Sequence, residues 1–110
     1  GVFPNAQRVR VIWVGLSGDI EKLAGLQKSI GANLEPLGFV PEKRPFTPHL
    51  TLGRVKEFAR PDEKAAIGQM ISRIPFNSKY EITVTAVNLM KSQLTREGPV
   101  YSKLAAVALK

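Results

Sequence analysis

The chain has 110 residues, 44% of them apolar and 23% charged, which is enough for one buried core and too little for several domains. It contains no cysteine and a single histidine, His49. This excludes disulfides and thiolate chemistry and leaves too few ligands for a structural zinc site. Sixteen Lys and Arg against nine Asp and Glu give a net charge of +7, a balance that favours nucleic acid, nucleotides or acidic membrane surfaces as partners.

No apolar run approaches 18 residues and no basic segment precedes an apolar block, so neither a membrane span nor a secretory signal is expected. With no cysteine, the chain fits a reducing cytoplasm. The basic residues are scattered, with Lys43-Arg44 the only adjacent pair, so no polybasic arm stands out. The chain opens Gly1-Val2-Phe3-Pro4 without an initiator Met. Two readings stay open: a processed N-terminus, or a piece of a longer protein.

In chain order, Val9 to Leu16 is almost continuously β-branched and apolar and reads as a central strand, with Trp13 in the core. Ser17-Gly18-Asp19 supplies a turn and helix cap. Ile20, Leu23, Leu26, Ile30 and Leu34 then recur at helical steps, and Pro36 and Gly38 end the helix. Phe39 to Thr47 is a proline-punctuated loop. A strand runs from Leu50 to Val55, and Pro61 with Asp62 and Glu63 starts a second helix that Pro75 closes. Tyr80, Ile82 and Val84 alternate as a strand. A change of phase at Ala86-Val87 predicts a β-bulge. Thr95 to Pro99 is a turn, and Val100 to Leu109 pairs back as a hairpin. The order is β-α-β-α-β-β over a single domain, residues 1–110. It implies an α+β fold in which two helices cover an antiparallel or mixed four-stranded sheet.

The chemistry concentrates at Pro45-Phe46-Thr47-Pro48-His49-Leu50-Thr51-Leu52-Gly53-Arg54-Val55. Strand alternation puts His49, Thr51, Gly53 and Val55 on one face and Leu50 and Leu52 on the other, which suits burial. Imidazole, with an unperturbed pKa of about 6.5, both takes up and releases protons near neutrality. The Thr51 hydroxyl beside it is placed to hold a phosphate oxygen. Arg54 suits a phosphate fork, although strict alternation sends it to the leucine face, where a structural ion pair is the alternative. Phe46 reads either as a stacking platform for a base or as core. Ser92 and Tyr101, beside the last turn, are uninformative alone. There is no Gly-rich phosphate loop, no acidic pairing suited to a metal and no strained Ser elbow.

Phe46 to Arg54 resembles the second HxTx motif of the two-histidine phosphoesterases, above all the RNA 2',3'-cyclic phosphodiesterases formerly called 2'-5' RNA ligases. Gly1 to Pro4 followed by Arg10-Val11-Ile12-Trp13-Val14-Gly15 resembles the family's mid-chain passage into its second half. Val87-Asn88-Leu89, Ser92-Gln93-Leu94, Gly98 and Tyr101 resemble its C-terminal hairpin. The resemblance implies the second half of a bilobal fold in which two such motifs face one another across a cleft. It further implies metal- and cofactor-independent hydrolysis of an RNA or nucleotide 2',3'-cyclic phosphate to a 2'-phosphomonoester, with 2'-5' ligation as a side reaction. His49 would then be the proton acceptor and Thr51 would bind phosphate, while Arg54 and Phe46 stand as substrate contacts on the reading of the residues themselves. Only one motif is present, so the second histidine must come from an N-terminal half or from the partner in a homodimer. The alternatives are a half domain that binds RNA or nucleotides without turnover and a plain scaffold.

Overall fold

Alternating apolar residues become a sheet only where a neighbouring strand supplies hydrogen-bond partners. The computed structural model, which describes residues 1–110, shows which stretches find one. The elements are β1 (Val2–Phe3), β2 (Val11–Gly15), α1 (Ile20–Leu34), β3 (His49–Arg54), α2 (Pro61–Arg73), β4 (Ala86–Thr95) and β5 (Gly98–Ala108). The architecture is α+β with antiparallel pairing throughout, and the expected order of elements follows a two-residue strand, β1, that was not expected. The strands form two sheets, β1-β2-β3 and β4-β5, rather than one sheet of four. Local alternation specifies a strand but not its neighbour, and β4 and β5 pair with each other along their length. Two compact units result, Gly1–Pro75 and Phe76–Lys110.

In the first unit β2 is the middle strand and β3 an outer one. Val9, just before β2, is fully buried. Asp19 stands at the N-cap of α1, but its carboxylate pairs with Lys22 Nζ at 3.0 Å instead of capping a helix amide. Leu23, Ala24 and Leu26 form the half-buried side of that helix. Beyond Leu34 a 3-10 turn carries Pro36, and Gly38 takes φ +94° while its amide donates to the Glu35 carbonyl at 3.0 Å. The two punctuating residues therefore end the helix as expected, because only glycine enters that left-handed region without strain. In α2, Pro61 holds the first position, and the Glu63 carboxylate accepts the Arg60 amide at 2.8 Å. That satisfies one of the donors a helix start leaves free. Gly68, buried in α2, lies so close to the Ala6 carbonyl that a Cβ there would overlap it. A hollow of about 660 Å³, lined in part by Ile12 and Gly53 from the sheet and Ala66 and Ile67 from α2, marks the sheet face that looks toward that helix. No helix is long and apolar enough to cross a membrane.

In the second unit the hairpin turns between Thr95 and Gly98, where the Thr95 hydroxyl donates to the Gly98 carbonyl at 2.7 Å and Gly98 takes φ +120°. Two expectations are corrected. Tyr80, Ile82 and Val84 are exposed and form no strand, since β5 makes its last bond at Leu109 N–H to the Thr85 carbonyl (2.8 Å) and no other strand lies alongside. Ala86-Val87 pairs regularly with Val107-Ala108. The irregularity falls instead between Leu89 and Met90, opposite Ala105 and Lys103, which leaves Leu104 without a cross-strand partner.

Candidate active site

Pro48 favours an extended approach to β3, and the His49 ring turns back toward the chain before it. His49 Nδ1 lies 2.6 Å from the Thr47 carbonyl. A carbonyl only accepts, so Nδ1 carries the proton and the neutral ring keeps its lone pair on Nε2. An imidazole in this tautomer takes a proton at Nε2.

The register of β2 against β3 sets the neighbours. Gly15 lies opposite His49, Val14 opposite Leu50 and Trp13 opposite Thr51. Residues directly opposite share a face, so Trp13, His49 and Thr51 stand together while Val14 and Leu50 look the other way. Phe3, opposite Val11, joins the first group. The rings confirm this. Phe3 stacks on Trp13 with centroids 4.8 Å apart, and His49 meets Phe3 edge-on at 5.1 Å and Trp13 edge-on at 5.9 Å.

A bulge then changes the parity. Ile12 is opposite Gly53 and Val11 opposite Arg54, so Leu52 has no partner and the alternation of β3 reverses there. Arg54 consequently shares the side of Val11, Trp13 and Thr51, and not the leucine face that strict alternation gave it. Arg54 also lines the hollow beside α2, together with its neighbours Gly53 and Val55. No carboxylate pairs with Arg54, so the structural ion pair is absent. The leucines are not buried as expected: Leu52 is 66% exposed and Leu50 47%.

Three of the four residues singled out in the sequence, His49, Thr51 and Arg54, thus share one side of β3. Phe46 does not join their ring cluster. It lines a hollow of about 340 Å³ with Gln27 and Gly31 of α1 and Pro41 and Arg44 of the following loop. The residues that sequence reasoning missed are Phe3 and Trp13. Trp13 was assigned to the core, yet it is half-buried and borders the imidazole. The signal lay in parity, since Val11, Trp13 and Gly15 share a face, but its use required knowing which strand pairs with β2. No three His, Cys, Asp or Glu side chains come together as a metal site.

Residues 14–101 match the family model of the LigT-like phosphoesterases. The chain is 35% identical over 109 residues to the RNA 2',3'-cyclic phosphodiesterase of Methanothermobacter thermautotrophicus, covering 99% of this chain and 56% of that protein. Against the enzyme of the same name from Aeropyrum pernix it is 36% identical over 107 residues, 97% of this chain and 59% of the relative. For that of Aquifex aeolicus the figures are 30% over 103 residues, 93% and 53%. The chain spans about half the length of the curated relatives it matches. Built around a strand that mounts His49, Thr51 and Arg54 on one side and matched by the family model over most of its length, the chain belongs to the LigT-like phosphoesterase family.

Proposed function

We propose that this chain supplies one half of the site of a cytoplasmic hydrolase that opens the 2',3'-cyclic phosphate of an RNA or nucleotide to a 2'-phosphomonoester. Three related enzymes bear the name of that activity. The observation that carries the reading is the Nδ1–H bond from His49 to the Thr47 carbonyl at 2.6 Å, which leaves Nε2 as a proton acceptor. In the reaction, Nε2 takes a proton from water as the water oxygen bonds to phosphorus. The bond from phosphorus to the 3' oxygen breaks, and that oxygen receives a proton from an acid. Thr51 donates its hydroxyl to a phosphoryl oxygen, and Arg54 offsets the charge that builds on the phosphoryl group. The 2'-5' joining reaction follows the same path with the 5'-hydroxyl of a second RNA in place of water: its oxygen bonds to phosphorus as Nε2 takes its proton, and the bond to the 3' oxygen breaks.

The acid is a second imidazole, and this chain has only one. It comes from another segment of a longer protein or from a second copy of the chain. Light scattering followed by a turnover assay on the same fractions, with a 2',3'-cyclic nucleotide, separates the two sources. An active dimer means a site rebuilt from two copies. An inactive monomer means that the other motif lies elsewhere, and the assay then moves to the protein that carries both. In whichever assembly is active, His49→Ala lowers turnover by about 10²–10⁴-fold. Unchanged turnover in that variant overturns the proposal. Salt-sensitive RNA binding with no turnover in any assembly assigns the chain to the binding-module class instead.

A further inference from the structure

A hydrogen bond between residues two apart, at an exposed position, does not by itself hold an imidazole, because water competes for both partners. His49 is exposed, yet its ring is walled on one side by two aromatic rings. We infer that Trp13, backed by Phe3, is a positioning residue for His49, which keeps the imidazole turned so that Nδ1–H stays on the Thr47 carbonyl and Nε2 points away as the acceptor. This inference rests on the proton-acceptor role given to His49 above.

The arrangement supports it at three levels. Backbone bonds fix Trp13 first. Its amide donates to the Gly1 carbonyl at 3.0 Å, and its carbonyl accepts the Gly1 amino group at 2.8 Å. Since the backbone groups of Trp13 turn toward Gly1, the Trp13–Thr51 pair is of the kind with no hydrogen bonds between its members, in which the side chains stand closest. From there the indole reaches the diagonal neighbour, His49, a distance that aromatic side chains bridge. The rings are fixed next. Phe3 stacks on the indole at an interplanar angle of 24°, while the imidazole meets Phe3 at 81° and Trp13 at 61°. Both contacts are the edge-to-face arrangement that ring quadrupoles favour, and turning the imidazole about its axis disturbs both. Last, the buried Trp13 Nε1 has no hydrogen-bond partner. The indole therefore acts on His49 through shape and ring contact, and an apolar replacement removes no hydrogen bond.

The test uses the fact that His49 is the only histidine. A long-range nitrogen–proton correlation spectrum of the ring shows one imidazole, at a pH where its own proton shifts show it to be neutral. In the parent chain the Nδ1–H form dominates. Trp13→Leu makes it the minor form, and Trp13→Phe and Phe3→Leu move it the same way by less, with far-UV circular dichroism and cooperative unfolding retained. A parent ring protonated at Nε2 overturns the inference at once, as does a folded Trp13→Leu chain with the parent's ring pattern. If Trp13→Leu fails to fold, Trp13→Phe and Phe3→Leu decide, and an unchanged ring pattern in both overturns it. The ring spectrum reports on positioning whether or not the chain turns over substrate. Failure of the catalytic reading appears instead in the His49→Ala assay.

Discussion

Thr51 stands two residues beyond His49, on the same face and directly across from Trp13. Its hydroxyl is exposed and has no hydrogen-bond partner within the chain, so a phosphoryl oxygen meets no internal competitor there. A hydrogen bond to a charged group contributes about 1.5–3 kcal/mol. Thr51→Ala should accordingly lower kcat/KM by about 10–100-fold in the active assembly, while Thr51→Ser, which keeps the donor, stays near the parent. Steady-state kinetics on a 2',3'-cyclic nucleotide check this, and equal losses in both variants would remove Thr51 from the phosphate site. His49 and Thr51 were legible as neighbours from the sequence because strand parity needs nothing beyond the strand itself. Arg54 was not, because its side depends on the unpaired Leu52, and a bulge exists only relative to a partner strand. The contact of Trp13 with the imidazole stays hidden for the same reason: an apolar strand reads only as core until the register shows what stands opposite.

At the scale of the element, the helices were easier to read than the strands. Pro36, Gly38 and Pro61 act through their own backbone geometry, and α1 ends and α2 begins beside those residues. Tyr80, Ile82 and Val84 have an equally clear pattern, yet no neighbouring strand completes it. Two glycines within the helices separate backbone entropy from packing. At Gly25 in α1 a Cβ meets nothing within 4 Å, so Gly25→Ala should stabilise the chain by about 0.5–1 kcal/mol. At Gly68 in α2 the Cβ runs into the Ala6 carbonyl, and backbone cannot swing aside as a side-chain tip can. Gly68→Ala should cost about 1–3 kcal/mol. Urea unfolding midpoints of the two variants should move in opposite directions, and a shared direction would refute the packing account.

For the whole molecule the governing quantity is charge. A net +7 makes any contact with RNA dependent on the release of counterions, with a logarithmic salt slope of about −0.7 per phosphate neutralised on a single strand. Arg54 has no carboxylate partner, so its charge is free to act on a ligand. Fluorescence anisotropy with a short single-stranded RNA should show binding that falls with salt. Arg54→Gln should flatten the slope by roughly one phosphate's share. An unchanged slope would place Arg54 away from the nucleic acid. The sign and size of the net charge were available from composition alone, whereas the side of β3 on which Arg54 spends its charge was not.

The edge position of β3 has a consequence for hydrogen exchange. Because Trp13 turns its backbone groups toward Gly1, alternation aims the amides of His49 and Thr51 away from β2 and aims that of Leu50 into the ladder. Three consecutive residues should therefore exchange in the sequence fast, slow, fast, since protection follows the hydrogen bond rather than the position along the chain. Anything that docks along this edge as an additional strand, from the same protein or another, would slow the outer two and leave Leu50 as it was. The strand that carries the imidazole thereby holds its own record of whether a neighbour has arrived.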